Sequence, residues 1–173
     1  MASYYYLISS LPMLSPNSPM PFSYDTFLEM CSTSVSDSTY KLLADLKLTS
    51  SEGPLVEEWH SFYSVLLSEL TQLRSAKLGR TYKSDADRDQ ASATLAASAM
   101  NAADPLAAEK MLLAYEMDQL DQLVGLHYFD DYTLFGYALK LKLLERFGSF
   151  EHERGKEEFS DILGSLQKQV TNL

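Results

Sequence analysis

The chain has 173 residues, 46% of them hydrophobic, and a net charge of −10 from 24 acidic against 14 basic side chains. That length builds one good core and is short for two independent domains, while the acidity sets the mean field against a polyphosphate, so no nucleic-acid partner is expected. Cys31, the single cysteine, excludes an internal disulfide and every multi-cysteine zinc site, fits a reducing cytoplasm and reads as a buried apolar filler. No secretory-type opening is present, and no apolar run approaches the roughly 20 residues that span a bilayer, so a soluble chain, peripheral to a membrane at most, is expected.

Residues 4–12, YYYLISSLP, are aromatic and apolar without clear alternation, and fit either a short strand or a first helical stretch stopped by Pro12. Pro16, Pro19 and Pro21, with serines between them, describe an extended loop. Ser23 then caps a helix that runs to about Cys31, with Asp25 in its first turn and Phe22 stapled onto Phe27. Asp37 is read as the cap of a second short helix carrying Tyr40, Leu42, Leu43 and Leu46. From 54 to 78, Leu55, Trp59, Phe62, Leu66, Leu70 and Leu73 recur by threes and fours, the pattern of a long amphipathic helix. Glu57 and Glu58 at its start and Arg74 and Lys77 near its end agree with its dipole, and Gly79 follows where a left-handed residue is wanted. The alanine-rich stretch 84–103 permits a thin helix or a flexible strap. With only Leu95 and Met100 to bury, it is expected to be the least stable element, joining two possible lobes (1–83 and 104–173) of one domain.

Residues 104–147 organise the rest. Asp104 caps a helix with Pro105 in its first position, and Leu106, Leu113, Met117, Leu120 and Val124 form its apolar stripe, leaving Glu109, Glu116, Asp118 and Asp121 largely on other faces. Gly125-Leu126-His127 breaks the period, and a second helix starts at Asp130 or Asp131. Leu134, Phe135, Tyr137, Ala138, Leu139, Leu141, Leu143, Leu144 and Phe147 cover most of its circumference, which predicts a central buried helix ended by Gly148 in a left-handed position. Residues 156–170 predict a last amphipathic helix on Phe159, Ile162, Leu163 and Leu166. The fold class expected is all-α, a helical bundle, with the Tyr-rich opening undecided.

Chemistry is sparse. Neither G-x-G-x-x-G nor G-x-x-x-x-G-K-[ST] occurs, so no nucleotide cofactor is expected. Glu57-x-x-His60 has the spacing of a bundle metal site, to which Asp118 and Asp121 could add, but a second Glu-x-x-His is missing because Val124 and Ser149 precede His127 and His152 at that spacing. No metal, no cofactor and no enzymatic activity are therefore expected, and nothing pairs Cys31 or a serine with an oriented histidine. Partner contacts are sought instead at three places. The turn holding His127, Asp130 and Asp131 is one, with Tyr128 and Phe129 expected to plug the core. Lys140 is another: it lies opposite the arc of Lys142, Glu145 and Arg146 and must snorkel, pair with an acid or face a partner. Arg80 and Lys83, which continue the three-residue spacing of Arg74 and Lys77 beyond the helix end, are the third.

Four segments carry a family resemblance: YYYLISSLP (4–12), PFSYDTFLEMC (21–31), EWHSFYSVLLSELTQLRSAKLGR (58–80) and DPLAAEKMLLAYEMDQLDQLVGLHYFDDYTLFGYALKLKLLERF (104–147). Together they resemble DUF2764, a bacterial family of unknown function encoded among the components of V-type ATPases, with the match poorest over 84–103. That family in turn resembles a shortened form of the C/d component of V-type ATPases, an all-helical funnel that seats the central shaft on the membrane rotor ring. The C/d component is longer and built of several similar lobes, so the resemblance implies only part of its fold and surface. It implies a non-catalytic component or assembly factor of a V-type rotary ATPase in proton or sodium transport, with the shaft or rotor ring as partner and a cytoplasmic place at the inner face of the membrane. It carries over no catalytic residue. A free-standing helical adaptor is the alternative reading, and a carboxylate-metal bundle enzyme a third.

Overall fold

Side-chain caps set most of the helix starts. The computed structural model describes residues 4–82 and 89–150; the helix expected at 156–170 and Lys83 lie outside them. Among the described residues the fold is all-α: α1 Tyr5–Ser10, α2 Tyr24–Cys31, α3 Asp37–Ala44, α4 Val56–Lys77, α5 Gln90–Met100, α6 Pro105–Val124 and α7 Asp131–Gly148. Ser23, Ser36, Asp89, Asp104 and Asp130 each accept a hydrogen bond from the backbone N–H three residues on, as good N-caps do. The cap of α3 is thus Ser36 rather than Asp37, which sits inside the first turn, and Leu46 is buried beyond that helix's end.

The Tyr-rich opening is helical. A strand there has no neighbouring strand among the described residues to pair with, whereas a helix satisfies its own backbone. Six residues without a side-chain cap are too few to hold alone, and burial of Tyr4 and Leu7 holds α1 on the bundle.

At the end of α4 the expectation for Gly79 is met in detail. Gly79 has φ +67°, its N–H donates to the Ala76 carbonyl at 3.0 Å, and the Arg80 N–H donates to Ser75 at 2.9 Å. This pair of bonds is the Schellman arrangement that closes a helix on a left-handed glycine. Gly148 does not repeat it. It is the last residue of α7, and the Ser149 hydroxyl donates to the Arg146 carbonyl at 2.6 Å, satisfying an end carbonyl without a left-handed residue.

The central helix is α7. Leu134, Phe135, Ala138, Leu139, Leu141 and Leu143 are fully buried in a cluster that draws on α1 to α4 and α6. The segments before α4 are pinned to their neighbours through ring donors: Tyr137 donates to the Pro12 carbonyl at 3.0 Å, Tyr24 to Leu43 at 2.7 Å and Trp59 to Leu48 at 3.0 Å. A smaller cluster, with Leu66, Leu70 and Leu112, receives Ala96 and Ala99, so the alanine-rich α5 packs between α4 and α6.

Two backbone features bring α7 close to its neighbours. Leu55, just before α4, has φ +64° and is 2% exposed, a conformation costing about 1 kcal/mol for an L side chain but offset by burial of the leucine. Gly136 faces it: a Cβ there would lie 3.4 Å from Leu55 Cδ2 and only 2.5 Å from Val124 Cγ2. Overpacking of this kind costs about 1 to 3 kcal/mol, against at most about 1 kcal/mol gained in helix propensity. Gly136→Ala is therefore expected to lower the urea midpoint, and a second change, Val124→Ala, to restore part of it; an unchanged midpoint in the single variant would show that α6 and α7 part freely.

Candidate partner interface

The turn between α6 and α7 gathers side chains from three parts of the chain. Gly125 ends α6 with φ +53°, and Phe129 has φ +57°, so the connection bends twice through left-handed backbone. Asp130 then caps α7: its Oδ1 accepts from the Thr133 N–H at 3.1 Å and from the Thr133 hydroxyl at 3.2 Å, while Oδ2 lies 2.6 Å from His127 Nδ1. Burial pushes this carboxyl up, but the bonds from His127 and Thr133 outweigh it and hold it below the usual carboxylate range. The His127 ring stacks on Tyr132 at 4.3 Å, and the Tyr132 hydroxyl donates to Glu58 of α4 at 3.3 Å.

From the other end of the chain, Tyr4 clips α1 onto this turn. Its N–H donates to the Phe129 carbonyl at 2.7 Å, its hydroxyl donates to Asp131 at 2.8 Å, and Tyr5 packs on the Phe129 ring at 4.7 Å. The expectation that Tyr128 and Phe129 both plug the core is corrected here. Phe129 is half-buried against Tyr5 and takes no part in the main core, and Tyr128 is 69% exposed. In the same turn Leu126 is 87% exposed, and Tyr5 (54% exposed) and Tyr6 (88%) adjoin the turn through the Tyr5–Phe129 contact, which gathers exposed aromatic and aliphatic side chains over a hydrogen-bonded support. Exposed large apolar side chains in a group, unlike single ones, mark interaction sites.

The other expected site residues are placed elsewhere. Lys140 pairs with an acid, Asp121, and its side chain is 16% exposed, so it belongs to the seam between α6 and α7. Arg80 is exposed beyond α4, while Lys77 donates to the Met100 carbonyl at 2.8 Å. Of the acids considered as companions to Glu57 and His60 on a metal, Asp121 is paired with Lys140 and Asp118 accepts from Gln122 at 2.7 Å. No group of three His, Cys, Asp or Glu able to hold a metal occurs among the described residues. Burial pushes the Cys31 thiol up to about 12, the neutral and inert form at physiological pH.

Reading the polar faces from spacing misses a buried ionic cluster. Arg146, assigned by spacing to a polar arc, reaches inward: Nη1 donates to Glu116 Oε1 at 3.0 Å and Nη2 to Oε2 at 2.6 Å, with Glu116 2% exposed. The same Nη1 donates to the Tyr63 hydroxyl at 3.3 Å, and Glu109 lies 3.5 Å away. Burial pushes the Glu116 carboxyl above its usual range, against the pull of the guanidinium, which stays charged. The signal was present: Glu116 sits three residues after Leu113 and four before Leu120, inside the apolar stripe. Chemically the cluster is a clasp between α4, α6 and α7.

The fold and this edge define an all-helical bundle with an exposed apolar corner. The family described as "Protein of unknown function (DUF2764)" matches residues 95–170, a segment that holds the second half of α5, all of α6, the turn and α7. No curated protein and no solved structure matches the chain.

Two outcomes are expected from the geometry. Asp130→Ala removes a cap and should cost about 1 to 2 kcal/mol at neutral pH. Because the Asp130 pKa is depressed on folding, its contribution is complete above the ordinary value of 3.8 and is lost as pH falls through the lower folded value, so the gap to wild type should close in acid. Melts at stepped pH check this. Arg146→Met leaves Glu116 buried without its cation and should cost about 3 to 5 kcal/mol. Here the deficit should shrink as pH falls, since the unpaired carboxyl can then bind a proton, and the double change Arg146→Met with Glu116→Leu should recover much of the loss.

Proposed function

We propose that the protein is a non-catalytic component or assembly factor of a bacterial V-type rotary ATPase, held at the cytoplasmic face by contacts with the central shaft or rotor ring. The observation that carries a docking role is the exposed edge of Tyr5, Tyr6, Leu126 and Tyr128 on a turn braced by Asp130 and Asp131. Placement in a rotary complex rests on the resemblance carried by segments 4–12, 21–31, 58–80 and 104–147; the match of residues 95–170 is to the family itself, described as of unknown function. No helix among the described residues is long and apolar enough to cross a membrane, so in this reading attachment runs through protein partners. Affinity purification of the tagged chain from native membranes tests it. ATPase subunits are expected to co-purify, and the double change Leu126→Ser with Tyr128→Ser is expected to deplete them while leaving the melting temperature in place, as ordinary surface changes do. Recovery of the chain with no ATPase subunit overturns the assignment.

A further inference from the structure

We infer that the edge of Tyr5, Tyr6, Leu126 and Tyr128 takes a basic amphipathic helix of a partner protein, whose aliphatic face covers Leu126 and Tyr128 while an arginine or lysine closes the C-terminal end of α6. This deepens the docking role proposed above and rests on it.

The electrostatic half of the inference comes from α6. A helix of 20 residues carries roughly half a negative charge at its C-terminus, and a basic side chain in the last turn is the usual complement. Both other long helices have one by position, Arg74 and Lys77 in α4 and, in α7, Arg146, whose guanidinium is held by Glu116, whereas α6 has none. Its closing bonds are few. The Gly125 N–H donates to Asp121 and the His127 N–H to Val124, while among the described residues the turn donates no backbone bond to the carbonyls of Gln122 and Leu123. A Cβ at Gly125, the residue before the 87% exposed Leu126, would lie 3.4 Å from the Gln122 oxygen and 4.0 Å from that of Leu123.

Flanking charge is mostly of the same sign, the exception being Lys140, whose ammonium is taken up by Asp121 in the last turn of α6. Asp130 and Asp131 are engaged with His127, Thr133 and Tyr4, but Glu57 and Glu58 begin α4 next to Tyr132, which bonds Glu58. Tyrosine faces accept guanidinium and ammonium groups, and tyrosine is among the side chains that most often dominate interface energetics. The favoured occupant is therefore cationic and apolar together. An anionic lipid surface meets the wrong sign here. A second copy would set the same acidic corner against itself across a two-fold axis.

The test is a titration of the isotope-labelled full chain, followed by amide chemical shifts, with a synthetic helical peptide bearing leucine on one face and arginine on the other. A glutamate-for-arginine analogue and vesicles of phosphatidylcholine with phosphatidylglycerol are run alongside. Shifts are expected to centre on Tyr5, Tyr6 and residues 122–128, with the arginine peptide only. Leu126→Ser with Tyr128→Ser should weaken its binding about tenfold, the scale of a hot-spot contact. Gln122→Lys, which supplies the missing cation from within, should weaken it several-fold at unchanged fold. Shifts centred elsewhere, such as the groove of Thr94, Leu95, Ser98 and Met111 between α5 and α6, overturn the inference. So do equal binding by the glutamate analogue, engagement of the edge by vesicles, or self-association through it. Peptide binding at the edge with no ATPase subunit recovered from membranes would sink the rotary-complex assignment alone, and the reverse pattern would sink this inference alone.

Discussion

A guanidinium and a carboxylate that share two hydrogen bonds inside the bundle set the terms for everything around them. Isolating the Glu116 charge there costs several kcal/mol, so Glu116 must meet the partly exposed Arg146 in one geometry or not be buried at all. The pair thereby selects one rotation and one register of α7 on α6. Further along the same seam, Lys140 of α7 meets Asp121 of α6, and Gly136 lets Val124 approach. As the α7 numbers fall from 146 through 140 to 136, the α6 numbers rise from 116 through 121 to 124. The three contacts are rungs of one antiparallel hairpin, and a slip by a residue would break all of them.

That register decides how firmly the turn is held. A connection between helices that could slide would let its side chains wander. Here its ends are set by the Gly136 contact and by the Asp130 cap, and its outer surface is clipped by Tyr4. The exposed tyrosines and Leu126 are therefore presented from a support that has already lost its freedom, which reduces the ordering that association would otherwise require. Loops are in general the more mobile and helices the more rigid parts of a fold; this bundle ties its sharpest loop to the start of the chain as well as to its central helix.

Much of this was legible in the sequence because it is local. Asp104, Pro105 and Gly79 act within one turn of themselves, and their positions follow from capping chemistry alone. The central place of α7 followed from an apolar circumference. What escaped was set mostly by contacts between distant segments. Ser36 displaced Asp37 as a cap because either residue could serve, and Gly148 proved dispensable as a stop once Ser149 supplied a hydroxyl. Arg146 reads as a solvated charge until the neighbouring helix places Glu116 opposite it. At the candidate interface, His127, Asp130 and Asp131 were found together because they are neighbours in sequence. Tyr4, Tyr5 and Tyr6, at the far end of the chain, could be joined to them only by the fold.

The residues that drew attention to the turn and the residues that face outward from it are thus different sets. Aspartates in a polar turn suggest an acidic docking point, yet Asp130 and Asp131 both brace it: Asp130, with three hydrogen-bond contacts, has little left to offer a partner, and Asp131 holds the Tyr4 hydroxyl. Their work is to make the outer layer possible. With the two carboxylates engaged beneath the surface, Leu126 and Tyr128 are left standing in solvent. What the corner then shows to its surroundings is an apolar surface beside the negative end of α6. It is this combination, rather than the acidity of the chain as a whole, that gives the bundle a direction of approach.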